Sequence, residues 1–408
     1  MRRRRIAVFG STGSIGKATL DVIGHLSTRF EVSVLVAHSS SRIIAAQARR
    51  FLPSMVVLSD QEACVRTRQL LGPGFRVESG LGPMLDAATS ARTDIVVMAM
   101  SGTAGVLPVM AALERGKHVC LATKEILVSF GSEVTETAHR YGAQLLPIDS
   151  ELAGLHQCLE HRSRESVRKV ILTASGGPFR RTGPPERAAA SQVLAHPTWR
   201  MGRKVTVDSA TLMNKGLEAI EAVRLFELRP EQVEAVIHPQ SIVHALIEFQ
   251  DGSLLAQLAN PDMRLPIQYC LTYPERLDSV IRPLNLSRVG RLEFAAVEER
   301  RFPCYRLARS ALRLGPAATC VLNAANQVAV QAFLQGRIAL GAIPRIISRT
   351  MLALGVAKKN VGRRSVRVLL RLEQKATTYA HCLVRSCPAP GGCPPHAENR
   401  KAVRDSRQ

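Results

Sequence analysis

The first 149 residues alternate short apolar runs with helical stretches, and this alternation leaves few folds open to the chain. "RIAVFG" is followed by "SIGKATLDVIGHL", and "FEVSVLVA" by "SRIIAAQARRFL". "SMVVLS", "DIVVMAM", "HVCLAT" and "QLLPI" continue the series, with helical segments between them. Runs this short and this apolar suit buried strands. A strand-helix repeat of this kind predicts a doubly wound parallel sheet with right-handed crossovers, an α/β domain over residues 1–149.

After Glu151 the pattern changes. "KVILTASGG" and "EAVIHPQSIVHALIEFQDGSLLAQLAN" read as strands, the latter turning back as a hairpin at Asp251-Gly252. "SATLMNKGLEAIEAVRLFEL" has helical spacing, with Ser209 placed to cap it. Residues 150–285 therefore read as an α+β domain, and 286–355 as a helical C-terminal domain. Residues 356–408 are basic and end in "SCPAPGGCPPHAENRKAVRDSRQ", which is rich in Pro, Gly and charge, and they are expected to be a divergent, disordered tail. Its His381, Cys382, Cys387, Cys393 and His396 lack the short Cys-x-x-Cys spacing of a zinc knuckle.

The net charge of +22 fits an anionic substrate, nucleic acid or an anionic membrane surface. From Val356 onward there are 12 Lys/Arg against 3 Asp/Glu, so the excess is concentrated at the end. Aromatic residues are only 4%, too few for stacking on single strands, and the expectation is no nucleic-acid partner. No run reaches the length a membrane span needs, and the apolar stretch behind Arg2–Arg5 is too short for a signal peptide. Nine cysteines without paired spacing indicate reduced thiols and a cytoplasmic location.

Gly10-Ser11-Thr12-Gly13-Ser14-Ile15-Gly16 follows the first strand and opens the first helix. Glycines permit a tight turn there, and the helix N-terminus presents free N–H groups to a pyrophosphate. The second strand ends in His38-Ser39-Ser40-Ser41-Arg42, without the acidic residue that holds the ribose hydroxyls of NAD. Hydroxyls and Arg42 suit a 2′-phosphate, which favours NADP(H); the plain alternative is a helix cap beside a solvated arginine.

"LLPIDSELAGLHQ" ends an apolar run in Asp149-Ser150-Glu151. A surface turn would account for these residues. A divalent metal would equally, given a third oxygen ligand from elsewhere, and Mg²⁺ or Mn²⁺ suits three carboxylates. Spacing alone does not choose between Glu218 and Glu221. Ser175-Gly176-Gly177, Ser209, Asn214 and Lys215 form an anion-friendly set able to hold a phosphate. The alternative is a cap at Ser209 and a solvated Lys215.

These stretches resemble the 1-deoxy-D-xylulose 5-phosphate reductoisomerase family. The matching motifs include "GSTGSIG", "LATKE", "LLPIDSE", "TASGGPF", "HPTWRMGRKVTVDSATLMNKGLEAIEA", "PDMRLPIQY" and "LNAANQVAVQAFL", in family order over roughly residues 4–350. The resemblance implies a metal-dependent rearrangement of a phosphorylated sugar followed by reduction with NADPH. It implies Asp149, Glu151 and Glu218 as ligands of Mg²⁺ or Mn²⁺. Ser150, Ser175, Ser209, Asn214 and Lys215 are implied as substrate and phosphate contacts. His196 and His244 are implied as active-site histidines, read here as positioning groups. Trp199 and Met201 match a mobile lid. Thr12, Gly13, Ser14, Ile15, Thr123, Lys124, Glu125 and Gly202 match positions on the cofactor side, with Arg42 beside them. A homodimer is expected of the family.

Four stretches depart from the family pattern: Leu152 where His is usual, Thr123 and Ile126 in the second nucleotide loop, His38-Ser39-Ser40 after the second strand, and Gln327. The match fades after Gly355, which reads as a frameshifted or extended end. The rival readings are a catalytically impaired copy, another dehydrogenase on the same nucleotide fold, and a basic nucleic-acid-binding protein.

Overall fold

A computed structural model of the chain describes residues 2–356 and 365–387. Seven parallel strands form the first sheet: β1 (Arg4–Phe9), β2 (Phe30–Ala37), β3 (Met55–Leu58), β4 (Val77–Ser79), β5 (Ile95–Met98), β6 (His118–Leu121) and β7 (Leu145–Pro147). Their spatial order is β4-β3-β2-β1-β5-β6-β7. The direction of winding reverses between β1 and β5, which pair directly, and ligands bind at such a switch point in open α/β sheets.

The helices between these strands cover the two faces. α1 (Ser14–His25), α2 (Ser41–Phe51) and α3 (Gln61–Leu71) pack on the face carrying Ile6 and Val8. α4 (Leu81–Thr89), α5 (Val106–Glu114) and α6 (Lys124–Arg140) pack on the face carrying Ala7 and Phe9. β2 has no exposed residue, as a strand sandwiched between helices should. The expected doubly wound sheet is present; the short β4 is an additional edge strand not anticipated from the apolar runs.

The second half is built on α7 (Ser150–Leu159), β8 (Val167–Ala174), α8 (Ala190–Leu194), α9 (Arg203–Ala210), α10 (Met213–Phe226) and the strands β9 (Val233–Ile237), β10 (Val243–Phe249) and β11 (Leu254–Leu258). Then come α11 (Arg264–Thr272), α12 (Leu286–Val289), β12 (Ala295–Ala296), α13 (Pro303–Leu314), α14 (Pro316–Leu334), α15 (Ala342–Ala353) and α16 (Val366–Arg385). The five-stranded second sheet runs β11-β10-β8-β9-β12, with β10 and β11 forming the hairpin around Asp251-Gly252.

Three expectations are corrected. Ser209 does not cap the "MNKGLE" helix: it lies near the end of α9, and Leu212, in the left-handed region at φ 53°, starts α10. Linear domain boundaries also miss the packing of α11. This helix returns from the second half to the first sheet, placing Ile267, Cys270 and Leu271 in the same core as Ile6 and Val8. The third correction is the tail. Residues 366–385 form an amphipathic helix that buries Leu369, Ala376, Ala380, Leu383 and Val384. The apolar period was present in "VRVLLRLEQKATTYAHCLV", but the basic residues between masked it. Residues 357–364 and 388–408, including Cys393 and His396, lie outside the described residues.

α14 is apolar enough over its 19 residues to match a membrane span by composition, but 83% of that window is buried in the protein. It is the central helix of a core shared by α10, α13, α15 and α16.

Candidate active site

The phosphate turn is shaped by two close approaches. Gly10 has φ +83°, and a Cβ there would lie 2.3 Å from the Ala99 carbonyl oxygen. A Cβ on Gly16 would lie 2.2 Å from the Gly10 carbonyl oxygen. Both must be glycine, whereas Gly13 has room for a side chain and simply precedes the first turn of α1. The turn therefore leaves the N-terminal N–H groups of α1 uncovered beside β5.

Ser14 and Ile15 of that turn open into a cavity of about 540 Å³. The same cavity is lined by Asp149, Ser150, Glu151, Asn214, Lys215 and Glu218. Asp149 lies just beyond β7 and accepts from the N–H groups of Glu151 and Leu152 at 3.3 and 3.4 Å, capping α7. Its carboxylate is thus held by a helix start facing the cavity, not by a solvated turn. Glu218 comes from the second turn of α10. One oxygen each from Asp149, Glu151 and Glu218 lie within 4.8 Å of one another, which selects Glu218 over Glu221 as the third member.

Two ammonium groups thread this acidic cluster. Lys124 Nζ donates to Asp149 Oδ2 at 2.7 Å, Glu218 Oε1 at 2.8 Å and Asn214 Oδ1 at 2.9 Å. Lys215 Nζ donates to Glu151 Oε1 at 2.8 Å and also to Glu218. Burial, reinforced by the charges of Asp149 and Glu151, pushes the Glu218 carboxyl up to about 7. Burial also disfavours ionisation of Asp149, but Lys124 and Lys215 hold it below the ordinary carboxylate range. Glu221, buried nearby, is raised well above it by burial and by Asp149. Converging buried carboxylates with one raised so far fit a divalent cation, whose charge would relieve the repulsion.

The second group of residues surrounds His196. Its Nδ1 accepts from the N–H groups of Thr198 and Trp199 at 3.2 and 2.9 Å. Nε2 therefore carries the ring proton, 2.9 Å from Ser175 Oγ and 3.1 Å from Ser209 Oγ. Burial lowers its pKa, which keeps the ring neutral. Gly176 and Gly177, at φ +79° and +60°, turn the chain after β8 so that Ser175 faces the cavity. His244 lies behind Trp199, with ring centroids 6.3 Å apart, and does not line the cavity. Burial and the charge of Lys215 take its pKa to about 4.

Trp199, Met201 and Gly202 line the cavity from an irregular segment between α8 and α9. Lys124, expected on the cofactor side, instead reaches the carboxylates. Thr123 and Glu125 do not line the cavity. Thr123 Oγ1 donates to the Met100 carbonyl at 2.6 Å, and Glu125 accepts from Lys204 at 2.6 Å. Arg42 lies apart, in a surface groove with Ser39–Ser41 and Arg66 at the end of β2. Pro261, Asp262 and Met263 also line the cavity. They belong to the "PDMRLPIQY" motif, which carried no functional assignment because none of its spacing speaks of chemistry.

The family departures fall outside the cavity lining. Leu152 is fully buried in the core of the second half. Ile126 is fully buried under the first sheet. His38 Nδ1 pairs with Ser59 Oγ at 2.7 Å, and Gln327 packs against Gly102.

A dinucleotide fold whose glycine turn shares one cavity with a carboxylate triad and a cluster of serine, asparagine and lysine side chains defines a nucleotide-dependent, metal-assisted enzyme of small anionic substrates. Three family models match the chain: 1-deoxy-D-xylulose 5-phosphate reductoisomerase over residues 6–131, its C-terminal domain over 145–226, and a DXP reductoisomerase C-terminal domain over 258–379. The last match runs through most of α16, so the family pattern continues past Gly355 and a frameshifted reading there is not needed. The 1-deoxy-D-xylulose 5-phosphate reductoisomerase of Moorella thermoacetica is 48% identical over 351 residues, covering 85% of this chain and 91% of the relative. The solved structure of the Zymomonas mobilis enzyme in complex with NADPH superposes with a TM-score of 0.86 at 35% identity, covering 94% and 100% of the two chains. A DOX-P reductoisomerase in complex with NADPH, fosmidomycin and magnesium gives a TM-score of 0.87 at 37% identity, covering 94% and 98%. The chain belongs to the 1-deoxy-D-xylulose 5-phosphate reductoisomerase family.

Proposed function

We propose that this protein catalyses the rearrangement of 1-deoxy-D-xylulose 5-phosphate and its reduction by NADPH to 2-C-methyl-D-erythritol 4-phosphate, in the non-mevalonate route to isoprenoid precursors. The observation that carries this reading is the convergence of Asp149, Glu151 and Glu218 in the cavity reached by the phosphate turn.

Asp149, Glu151 and Glu218 are the groups that would hold Mg²⁺ or Mn²⁺. A divalent cation there supplies Lewis-acid polarisation of a hydroxyketone and stabilises oxyanion character. The rest falls to the side chains. Lys215 supplies the point charge for the sugar phosphate, and Ser175, Ser209 and Asn214 supply hydrogen bonds. Ser150 contacts the substrate beside the triad. His196 is neutral, so its Nε2–H is a donor that keeps the two serine hydroxyls oriented; it is not a charged acid. His244 supports Trp199 from behind. Thr12, Gly13, Ser14 and Ile15 cradle the pyrophosphate, and Arg42 takes the 2′-phosphate that distinguishes NADPH. Trp199, Met201 and Gly202 cover substrate and nicotinamide, excluding water from the aldehyde before hydride arrives. The protein acts in the cytoplasm as a homodimer, without a nucleic-acid or membrane partner.

The impaired-copy reading is disfavoured because the substituted family positions Leu152, Ile126, Thr123 and Gln327 are absent from the cavity lining. The test is NADPH oxidation with deoxyxylulose phosphate and Mn²⁺, with and without a chelator. Metal-dependent turnover is expected. Its absence in folded, NADPH-binding protein would overturn the proposal.

A further inference from the structure

Lys204 stands out among the charged groups that the chemistry above does not use. Its Nζ donates to Glu125 Oε1 at 2.6 Å and pairs with Asp208 Oδ2 at 2.9 Å. Only about a quarter of its side chain is exposed, and Asp208 is almost wholly buried. Asp208 Oδ1 in turn accepts from Asn326 Nδ2 at 2.9 Å. The chain of contacts joins three parts of the fold. Glu125 is in the first turn of α6, beside the first sheet. Lys204 and Asp208 are in α9. Asn326 is in α14, the central helix of the C-terminal core.

The position of Lys204 gives this network a role. It is in the first turn of α9, two residues after Gly202, where the irregular segment bearing Trp199 and Met201 ends. At the other end of that segment, His196 is held by Ser175 and Ser209. Between those ends, the N–H groups of Thr198 and Trp199 turn back onto His196 Nδ1, and Thr198 Oγ1 donates to the Pro239 carbonyl at 3.2 Å, so these ties hold the His196 end of the segment. Glu125 is also the neighbour of Lys124, which reaches the carboxylate triad. One turn of α6 therefore anchors both the metal cluster and the base of the cover.

We propose that Lys204 is a positioning residue for the reaction proposed above: it fixes the α9 end of the 196–202 segment to the nucleotide-binding half, so that Trp199 and Met201 close in register with the cofactor. It does not line the cavity and makes no contact with the reacting groups. Burial works against its charge, but Asp208 and Glu125 hold the ammonium above the ordinary lysine range, so the tie persists at every working pH. The inference rests on the reductoisomerase reading, because it assumes that covering the substrate matters.

Trp199 is the sole tryptophan, so its fluorescence reports the cover directly. The experiment uses the full chain with NADPH, Mn²⁺ and fosmidomycin as the ligand, and follows acrylamide quenching of Trp199. In the parent protein the ligands should shield Trp199. In K204M that shielding should be lost and kcat should fall by about 10-fold or more, with the Kd for NADPH nearly unchanged. K204R should restore most of both. Thermal melts control for folding. Should K204M fail to fold, E125Q reads the same tie from the other side and should weaken shielding in the same direction. Shielding and kcat of a folded K204M within twofold of the parent would overturn the proposal, as would E125Q with unaltered shielding where it is the variant used. An inactive parent that still shields Trp199 would count against the reaction proposed above and leave the role of Lys204 to the shielding comparison.

Discussion

The ammonium of Lys215 lies 2.8 Å from Glu151 Oε1, so the point charge needed for a sugar phosphate is committed to the carboxylates that would hold a metal. A cation at the triad and an anion at Lys215 both break this pair, and each relieves the cost the other would otherwise meet. Binding of the two should be positively coupled, and the coupling must be reciprocal. Inorganic phosphate, titrated calorimetrically, should bind about 5- to 100-fold more tightly with saturating Mn²⁺ than with chelator. K215M should remove most of that difference. Equal affinity in both conditions would show that the pair is not the shared element.

Metal affinity should depend on pH through Glu218. Its carboxyl is raised to about 7, by burial first and by Asp149 and Glu151 next. A raised acid favours the protonated folded protein, so its contribution is present at low pH and is lost as pH climbs through the folded value. Metal requires the ionised form and must displace that proton below neutrality. Mn²⁺ affinity should rise by about tenfold per pH unit up to about pH 7 and then level off. Mn²⁺ titrations across that range test it. E218Q should bind Mn²⁺ at least about 100-fold more weakly and lose the slope.

Gly10→Ala tests the phosphate turn. Its Cβ would sit 2.3 Å from the Ala99 oxygen at a φ that side chains rarely adopt. A backbone contact this short cannot relax by rotating a side chain. The expected cost is about 2–4 kcal/mol, with NADPH binding lost in whatever folds. G13A, which has room, should lose much less. Urea melts separate the two in stability, and NADPH fluorescence checks binding in G10A.

Leu369→Ala tests whether α16 belongs to the fold. Leu369 is fully buried, and its carbonyl accepts from the Cys320 thiol at 3.6 Å. A loss of about 2–5 kcal/mol is expected in denaturant melts. A loss below about 0.5 kcal/mol is what a solvated tail would give.

The doubly wound sheet was legible in the sequence because strands buried on both faces must be short and apolar, and because a glycine turn between strand and helix has few other uses. Asp149 and Glu151 were visible for the same local reason: two carboxylates at the end of an apolar run demand an explanation. The helix over residues 366–385 was not legible. Its buried residues recur at helical spacing, but basic residues and the Pro-rich stretch beyond dominated the composition. Its packing against α14, α15 and α6 shows which face is covered.

Local pattern determined what most segments of this protein are, among them the buried strands, the phosphate turn and the acidic pair, though not β4 or α16. Which distant residues share a site was decided by the tertiary structure. Spacing could not choose Glu218 over Glu221, because both are buried in α10 and differ by less than one turn. The rotation of α10 against β7 and α7 chose, bringing one of them to the oxygens of Asp149 and Glu151. In the same way Lys124 went to the carboxylates and Glu125, its neighbour, to Lys204. Adjacent side chains on a helix point about 100° apart, so the packing around α6, and nothing within it, assigned each its partner.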